Sequence, residues 1–259
     1  FNMRDYLLFR LHGALASWGD IAVGDIRPSY RHPSKSAVIG LIAAALGVER
    51  EKYEKQSELA KLSFSVRIDA TGVPIDDYHT VQAPSEQAIK HDRGKNFWTR
   101  IDEIEAIKFR VVGSKSSAEA GAIQSKRTYY CDAVYTVALS ENEDNKINWE
   151  IFELPELKDL AGIAGFLMKP RFNLYLGRKS CPLGLPLEPQ VITDAHDCRD
   201  AFQRSGFRYG DVLKFIMEGQ TIQYYTEEVP LQSRMKMTRR DQPVNREAWR
   251  FTERDEYLL

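Results

Sequence analysis

Ser34-Lys-Ser-Ala-Val-Ile-Gly-Leu-Ile-Ala-Ala-Ala-Leu-Gly47 carries helix signals at both ends. Ser34 is a helix N-cap type. Val38, Ile39, Leu41, Ile42, Ala45 and Leu46 recur at the i, i+3, i+4, i+7, i+8 spacing of one buried face. Gly47 stands at the C′ position, where a left-handed residue ends a helix. Working outward, Tyr6-Leu-Leu-Phe-Arg-Leu-His12 is short and rich in β-formers, so a buried strand precedes the helix. Ser63-Phe-Ser-Val-Arg-Ile-Asp69 alternates with period two and reads as a following strand with one wet face.

The pattern then repeats. Thr71 to Pro74 turns, and Ile75 to Val81 is a short strand in which Tyr78 and His79 read as a satisfied structural pair. Gln82 to Lys126 is mixed, small-residue and basic, the composition of a protruding insertion. Tyr129 to Leu139 is the strongest strand signal and is expected to be central. Ile151 to Met168 predicts an amphipathic helix that begins after Pro155, with Leu157, Leu160, Ile163, Ala164 and Leu167 on one face. Gln190 to Thr193 predicts a strand and Asp197 to Arg204 a short helix. Val212 to Glu218 and Thr221 to Thr226, separated by Gly219-Gln220, read as a hairpin.

Strand, helix, strand, then strand, helix, strand is the split β-α-β order of an α+β, ferredoxin-like domain, the sheet also used by RNA-recognition modules. We place that domain over residues 3–187, with a thumb-like insertion at about 83–126 and a small β-rich C-terminal domain over 188–259. Met3 reads as the start of the native chain, with Phe1-Asn2 outside it.

Composition narrows the function classes. The 259 residues are 43% hydrophobic and 28% charged, with a net charge of −1. That is an ordinary globular balance without a global basic field. Cys131, Cys181 and Cys198 form no CxxC pair. This argues against a disulfide framework or zinc site and fits a reducing cytoplasm. No apolar run approaches the ~18 residues of a membrane span, and no signal peptide is read. No cofactor or metal-ligand spacing stands out.

Charge is unevenly placed, and two windows, Arg27 to Val48 and Leu160 to Leu187, lack acids. In the first, Arg27, Arg31, Ser34, Lys35 and Ser36 gather at a helix N-terminus, where free N–H groups and the dipole favour an anion. The plain alternative is that Ser34 caps and the cations are solvated. In the second, Lys169/Arg171 and Arg178/Lys179 flank Phe172 and Tyr175, with Gly177 and Pro182 nearby. Charge, ring and glycine at this spacing suit backbone-phosphate contact beside a stacked base. A core role for the rings with a solvated loop remains the other reading, and Trp18 reads as a structural plug before a stacking platform.

These stretches resemble the CasD (Cas-five) family of subunits of type I-E CRISPR Cascade complexes. The resemblance rests on Tyr6-Leu-Leu-Phe-Arg-Leu11, Trp18-Gly19, Arg27-Pro28 with Arg31 and Pro33, and the Ser36-to-Gly47 helix. It continues through Asp77-Tyr-His-Thr-Val81, Tyr130-Cys-Asp-Ala133, Thr136-Val-Ala-Leu139, Lys169-Pro-Arg171 and Tyr175-Leu-Gly-Arg-Lys-Ser-Cys-Pro-Leu183. It covers most of Met3 to about Leu187 and is weak beyond. The resemblance implies a non-catalytic, cytoplasmic subunit of antiviral defence that holds the repeat-derived 5′ handle of the guide crRNA. It implies capping of the CasC backbone and contact with the large subunit CasA, with target DNA met only through the complex. Carried over, Arg27, Arg31, Ser34, Lys35 and Ser36 become handle-phosphate contacts, and Lys169, Arg171, Tyr175, Arg178 and Lys179 line a facing loop. Lys126 and Arg127 join them at the thumb base.

A related branch cuts precursor RNA itself, so a metal-independent endoribonuclease is the alternative. Such chemistry needs a base near the 2′-hydroxyl and a cation for the developing charge. Tyr30, His32 or His79 with Lys35 are the residues that could supply them.

Overall fold

The structure is a computed structural model, and it describes residues 3–84, 99–102, 120–142, 145–230, 232–245 and 250–259. The chain opens with β1 (Arg4–His12), β2 (Leu15–Ala16), β3 (Trp18–Gly19), β4 (Ile26–Arg27) and β5 (Ser29–Tyr30). Helices α1 (Lys35–Leu46) and α2 (Tyr53–Leu59) lead to β6 (Ser63–Ala70), β7 (Val73–Pro84), β8 (Ala120–Cys131) and β9 (Val134–Ser140). A 3₁₀ turn (Trp149–Phe152), α3 (Leu160–Met168), β10 (Gln190–Ala195), α4 (Cys198–Arg204) and α5 (Gly210–Met217) follow. The chain ends in β11 (Gln223–Thr226), β12 (Met235–Asn245) and β13 (Arg250–Leu258).

The first compact unit comprises Phe1–Asp20, Ser29–Ile75 and Tyr129–Leu259. Its sheet runs β10-β1-β9-β6-β11-β13-β12. β1 is antiparallel to both β10 and β9, and β6 is antiparallel to β9. Strands β1 and β6 are therefore parallel to each other and joined through α1, while β9 and β10 are parallel and joined through α3. Two β-α-β units interleave to make the first four strands.

Both helices lie against one sheet face. Leu7, Phe9 and Leu11 of β1, Phe64, Val66 and Ile68 of β6, and Tyr135, Val137 and Leu139 of β9 meet Ile39, Ile42 and Leu46 of α1 and Ile163 and Leu167 of α3. Full burial of each such side chain contributes roughly 1.5–3 kcal/mol. The predicted ends of α1 hold: the Ser34 hydroxyl accepts the Ala37 N–H, and Gly47 has φ +74°. Asp159 caps α3 by accepting the Gly162 N–H.

The opposite face is covered as well. Tyr6, Leu8 and Ala138 bury Cys198, Ala201 and Phe202 of α4. Ala70 and Val134 receive Leu213, Ile216 and Met217 of α5. Strand β6 thus has no wet face, contrary to its alternation, and its Ser65 hydroxyl is hydrogen-bonded to Thr226 at 2.7 Å. Among the described residues, β1, β9 and β6 are packed on both faces and offer no open platform of the RNA-recognition type.

Three further expectations change. The segment 188–259 shares the sheet of the first unit: β10 pairs with β1, and β11 with β6. Tyr129 to Leu139 is not one strand, because Asp132 turns at φ +55° and separates β8 from the central β9. The expected hairpin at 212–226 is helix α5 followed by strand β11. Gly219 has φ +74°. Its left-handed backbone ends the helix and makes no hairpin turn.

The second unit comprises Ile21–Pro28 and Asp76–Thr128. There β4 runs parallel to β8, with Ile26 opposite Lys126 and Arg27 opposite Arg127, and β7 also pairs with β8. Of the expected insertion at 83–126, residues 85–98 and 103–119 lie outside the described residues. Among the described residues, no helix is long and apolar enough to cross a membrane.

Candidate nucleic-acid interface

The residues singled out in the sequence fall into four places. The first is the start of α1. Ser34 is buried and caps the helix, with its Oγ 3.2 Å from that of the half-buried Ser36. Lys35 is buried, and its Nζ lies 2.8 Å from Glu227 Oε1. Its backbone N–H donates to Asp241 at 2.9 Å. A carboxylate from β12 therefore occupies the helix N-terminus, where the sequence suggested a phosphate. Ser34 and Lys35 are structural here, and of the α1-start residues in this unit only Arg31 is exposed.

Lys35 belongs to a buried ionic network. Arg254 binds Asp241 at 2.6 Å and Glu256 at 2.8 Å. Arg239 and His32 reach Glu256 at 3.4 and 3.5 Å. Phe64 N–H donates to Glu227 at 2.7 Å. Burial alone would raise the Glu256 carboxyl, but His32, Arg254 and Arg239 outweigh it and hold it at about 2. Burial pushes the Lys35 ammonium down, and Glu227 opposes the fall. The network fastens α1 to the C-terminal pair β12–β13.

One result was not expected from sequence. The Arg239 guanidinium lies 3.7 Å from the centre of the Tyr30 ring, next to exposed Arg31. Arg239 lies in the C-terminal strand β12. Tyr30 stands near the opposite end of the chain, so no local spacing could reveal the pair.

The second place is the hairpin from Tyr175 to Pro182, which are bridged to each other. Leu176 N–H donates to Cys181 at 2.7 Å, and Cys181 N–H to Arg178 at 2.9 Å. Ser17 N–H donates to the Leu176 carbonyl at 3.1 Å, which pins the hairpin to the segment between β2 and β3. Gly177 has φ +84°, and a Cβ there would sit 1.9 Å from the Ser17 carbonyl oxygen. No other residue fits this contact. Trp18 is buried edge-to-face on Tyr135, with centroids 5.7 Å apart, and is a plug as expected. It pairs with Tyr30 through β3 and β5. Hairpin, Trp18, Tyr30 and Arg31 thus share one support. On that support Tyr175 and Lys179 are exposed, and Arg178 lies over the Tyr129 ring at 4.9 Å.

The third place is the other end of α1. Arg171 and Phe172 N–H groups donate to the Ala45 and Ala44 carbonyls at 3.0 and 3.1 Å. Lys169, Arg171 and Phe172 are exposed there. A helix of twelve residues is about 18 Å long, so this pair does not face Arg31 as the sequence suggested. The fourth place is in the second unit. Strand pairing sets Arg27 opposite Arg127 and Ile26 opposite Lys126, and Lys126 Nζ lies 2.9 Å from Asp76. Arg27 belongs with these residues and not with the α1 group.

The side chains proposed for cleavage are placed unfavourably for it. Burial pushes the Tyr30 hydroxyl up to about 12. His32 is buried and stacked on Tyr225 at 4.3 Å, with its ring nitrogens facing the Pro33 carbonyl, Arg239 and Glu256. His79 pairs with Asp77 at 2.5 Å, and Tyr78 beside it is exposed. Among the described residues, no group of three His, Cys, Asp or Glu is placed to hold a metal ion.

A model of the family described as CRISPR-associated protein (Cas_Cas5) matches residues 6–255. The chain belongs to this family. It is 29% identical to the CRISPR system Cascade subunit CasD of Escherichia coli (strain K12), over 99% of this chain and 96% of that relative. The fold is similar to that of a chain from a CRISPR RNA-guided surveillance complex, with a TM-score of 0.58, 21% identity, and coverage of 98% of this chain and 89% of the other. A solved Cas protein gives a TM-score of 0.57 at 23% identity, covering 98% and 93% of the two chains. The family match runs well past Leu187, and the strands from Gln190 onward belong to the same sheet as β1, β9 and β6.

Proposed function

We propose that this Cas5-family protein is a non-catalytic subunit of a type I-E Cascade-like surveillance complex, binding the repeat-derived 5′ handle of the guide crRNA. The full-length likeness to the Cascade subunit CasD supports membership of such a complex. The interleaved β-α-β units support a ferredoxin-like core, and the second unit takes the place of a thumb. Capping of a CasC-type backbone, contact with a CasA-type large subunit and a cytoplasmic setting belong to the same proposal.

The observation that carries handle binding is the pinned hairpin 175–182. Rigid backbone holds Tyr175, Arg178 and Lys179 on the support that also bears Tyr30, Arg31 and Arg239. Exposed Arg31 and Lys179 beside the exposed Tyr175 ring, with Tyr30 and Arg178 half-buried and Arg239 buried behind them, match what single-stranded RNA needs: phosphate neutralisation and base stacking. Lys169 and Arg171 are secondary contacts of the first unit, and Arg27, Lys126 and Arg127 are separate candidate contacts of the second unit. Ser34 and Lys35 are left out, and Ser36 contributes at most its half-exposed hydroxyl.

The test is a gel with labelled repeat RNA at low and moderate salt, read for shift and for cleavage, with and without purified Cascade partners. The expected result is a shift without cutting, sharpened by the partners. Cutting by the protein alone, abolished by His79→Ala, replaces the proposal with an endoribonuclease. Absence of a shift in every lane removes RNA binding.

A further inference from the structure

Away from that hairpin, the sheet face covered by α4 and α5 holds an arginine without a counter-ion of its own among the described residues. Arg10 of β1 is 7% exposed. Its guanidinium lies over the Phe207 ring at 4.2 Å. Nε and Nη1 are buried and have no hydrogen-bond partner among the described residues. The neighbouring charges do not supply one. Asp69 is bound to Arg67 at 2.6 Å and also accepts the Thr136 hydroxyl. Glu188 accepts the Arg208 and Tyr209 N–H groups at 2.9 and 3.3 Å. Burial lowers the Arg10 pKa, with Asp69 and Glu188 opposing and Arg67 adding to the fall. Asp69 and Glu188 offset part of the charge through space, but Nε and Nη1 receive no acceptor, and unpaired buried donors are costly, so this position suits a bound anion.

The same guanidinium points to the start of α5. A Cβ on Gly210, the first residue of that helix, would meet Arg10 Nη1 at 4.0 Å. Tyr209 stands at the N-cap without a side-chain hydrogen bond to the helix. Gly210 N–H is held by Phe207 and Leu213 N–H by Tyr209. The N–H groups of Asp211 and Val212 have no acceptor within an α-helix. Asp211 is the one acid in the first turn. A bare glycine, helix N–H groups and a buried arginine lacking a counter-ion are the components of an oxyanion site.

We propose that Arg10 and the N-terminus of α5 bind a phosphate-class oxyanion, at a site separate from the 175–182 hairpin. The oxyanion is either a phosphate of a bound RNA strand or free inorganic phosphate.

Thermal unfolding is followed in increasing inorganic phosphate against chloride at matched ionic strength, for the whole chain and for Arg10→Met. Methionine keeps the stem on Phe207 and removes the charge. A saturable phosphate-specific rise in Tm is expected, with affinity at least about tenfold weaker in Arg10→Met, the scale of a charge-assisted hydrogen bond. Should Arg10→Met fail to fold, the wild-type amide resonances of Gly210, Asp211 and Val212 are followed instead, and saturable shifts with phosphate are expected. A rise no larger than in chloride, or equal in both proteins, or amide shifts confined to other residues, overturns the proposal. Competition of phosphate with labelled repeat RNA, with a salt slope smaller by about 0.7 in Arg10→Met, assigns the oxyanion to the RNA strand. Unchanged RNA binding alongside the phosphate-specific rise assigns it to free phosphate.

Discussion

Lys35→Met separates a structural lysine from an RNA contact. The ammonium is 2.8 Å from one oxygen of Glu227 and 3.1 Å from the other. The two side chains are 5% and 15% exposed. Removing one member of a buried pair costs about 3–5 kcal/mol, because the other charge stays buried. Glu227 keeps the Phe64 N–H at 2.7 Å and Arg254 at 4.0 Å, which places the loss at the low end of that range. About 3 kcal/mol corresponds to a fall in Tm of roughly 6–12 °C in a chain of this size. Urea unfolding followed by tryptophan fluorescence measures the loss. The double variant Lys35→Met/Glu227→Gln should recover more than half of it, since the new amide oxygen still accepts from Phe64 while the orphaned charge is gone. Affinity of the folded protein for repeat RNA should stay within about twofold. A single variant that keeps its stability to within about 0.5 kcal/mol, as a surface substitution does, and binds RNA tenfold more weakly refutes the reasoning. That result returns Lys35 to the interface.

Other expectations concern the fold and its pH response. Glu256 is held at about 2 in the folded protein against an ordinary value near 4.3. A carboxylate with a lowered folded pKa contributes stability above its unfolded pKa and loses it as pH falls. Stability should therefore drop by about 3 kcal/mol between roughly pH 5 and pH 2 on this group's account. Glu256→Gln should show a visibly shallower acid limb in urea midpoints, and identical limbs would exclude the assignment. Gly177→Ala should destabilise by more than about 3 kcal/mol, combining a positive φ with a backbone clash. Gly165→Ala, whose Cβ would meet nothing within 4 Å, should be neutral or better. Cys198 is buried, and its thiol is pushed up to about 12 by burial first and then by Glu228. It should resist a thiol reagent in the folded protein while half-exposed Cys131 reacts, and fast labelling of all three cysteines would contradict the packing.

Local signals decided what the sequence could show. Ser34, the periodic face and Gly47 define α1 without help from the rest of the chain. The two β-α-β units follow from strand signals on either side of such helices. The run Val212-Leu-Lys-Phe-Ile-Met217 misled because a short apolar stretch suits strand and helix equally. Its partners Ala70 and Val134 select the helix, and Gly219 was the available clue. Strand β6 alternates as if half-wet, yet α4 and the strands after it bury its polar residues too. The candidate site divided for a similar reason. Arg178 and Lys179 lie on a hairpin whose glycine and proline mark it locally. Lys35 looked free because its acids, Glu227 and Asp241, come from the far end of the chain. Arg239 was hidden for the same reason.

The most direct test of handle binding is a salt titration of repeat-RNA affinity for wild type and Arg178→Ala/Lys179→Ala, with unfolding checked alongside because Arg178 rests on Tyr129. Two lost phosphate contacts reduce the slope of log K against log salt by about 1.4, at roughly 0.7 each. The account predicts weaker binding and this shallower line in a folded variant. Superimposable lines for the two folded proteins would contradict it.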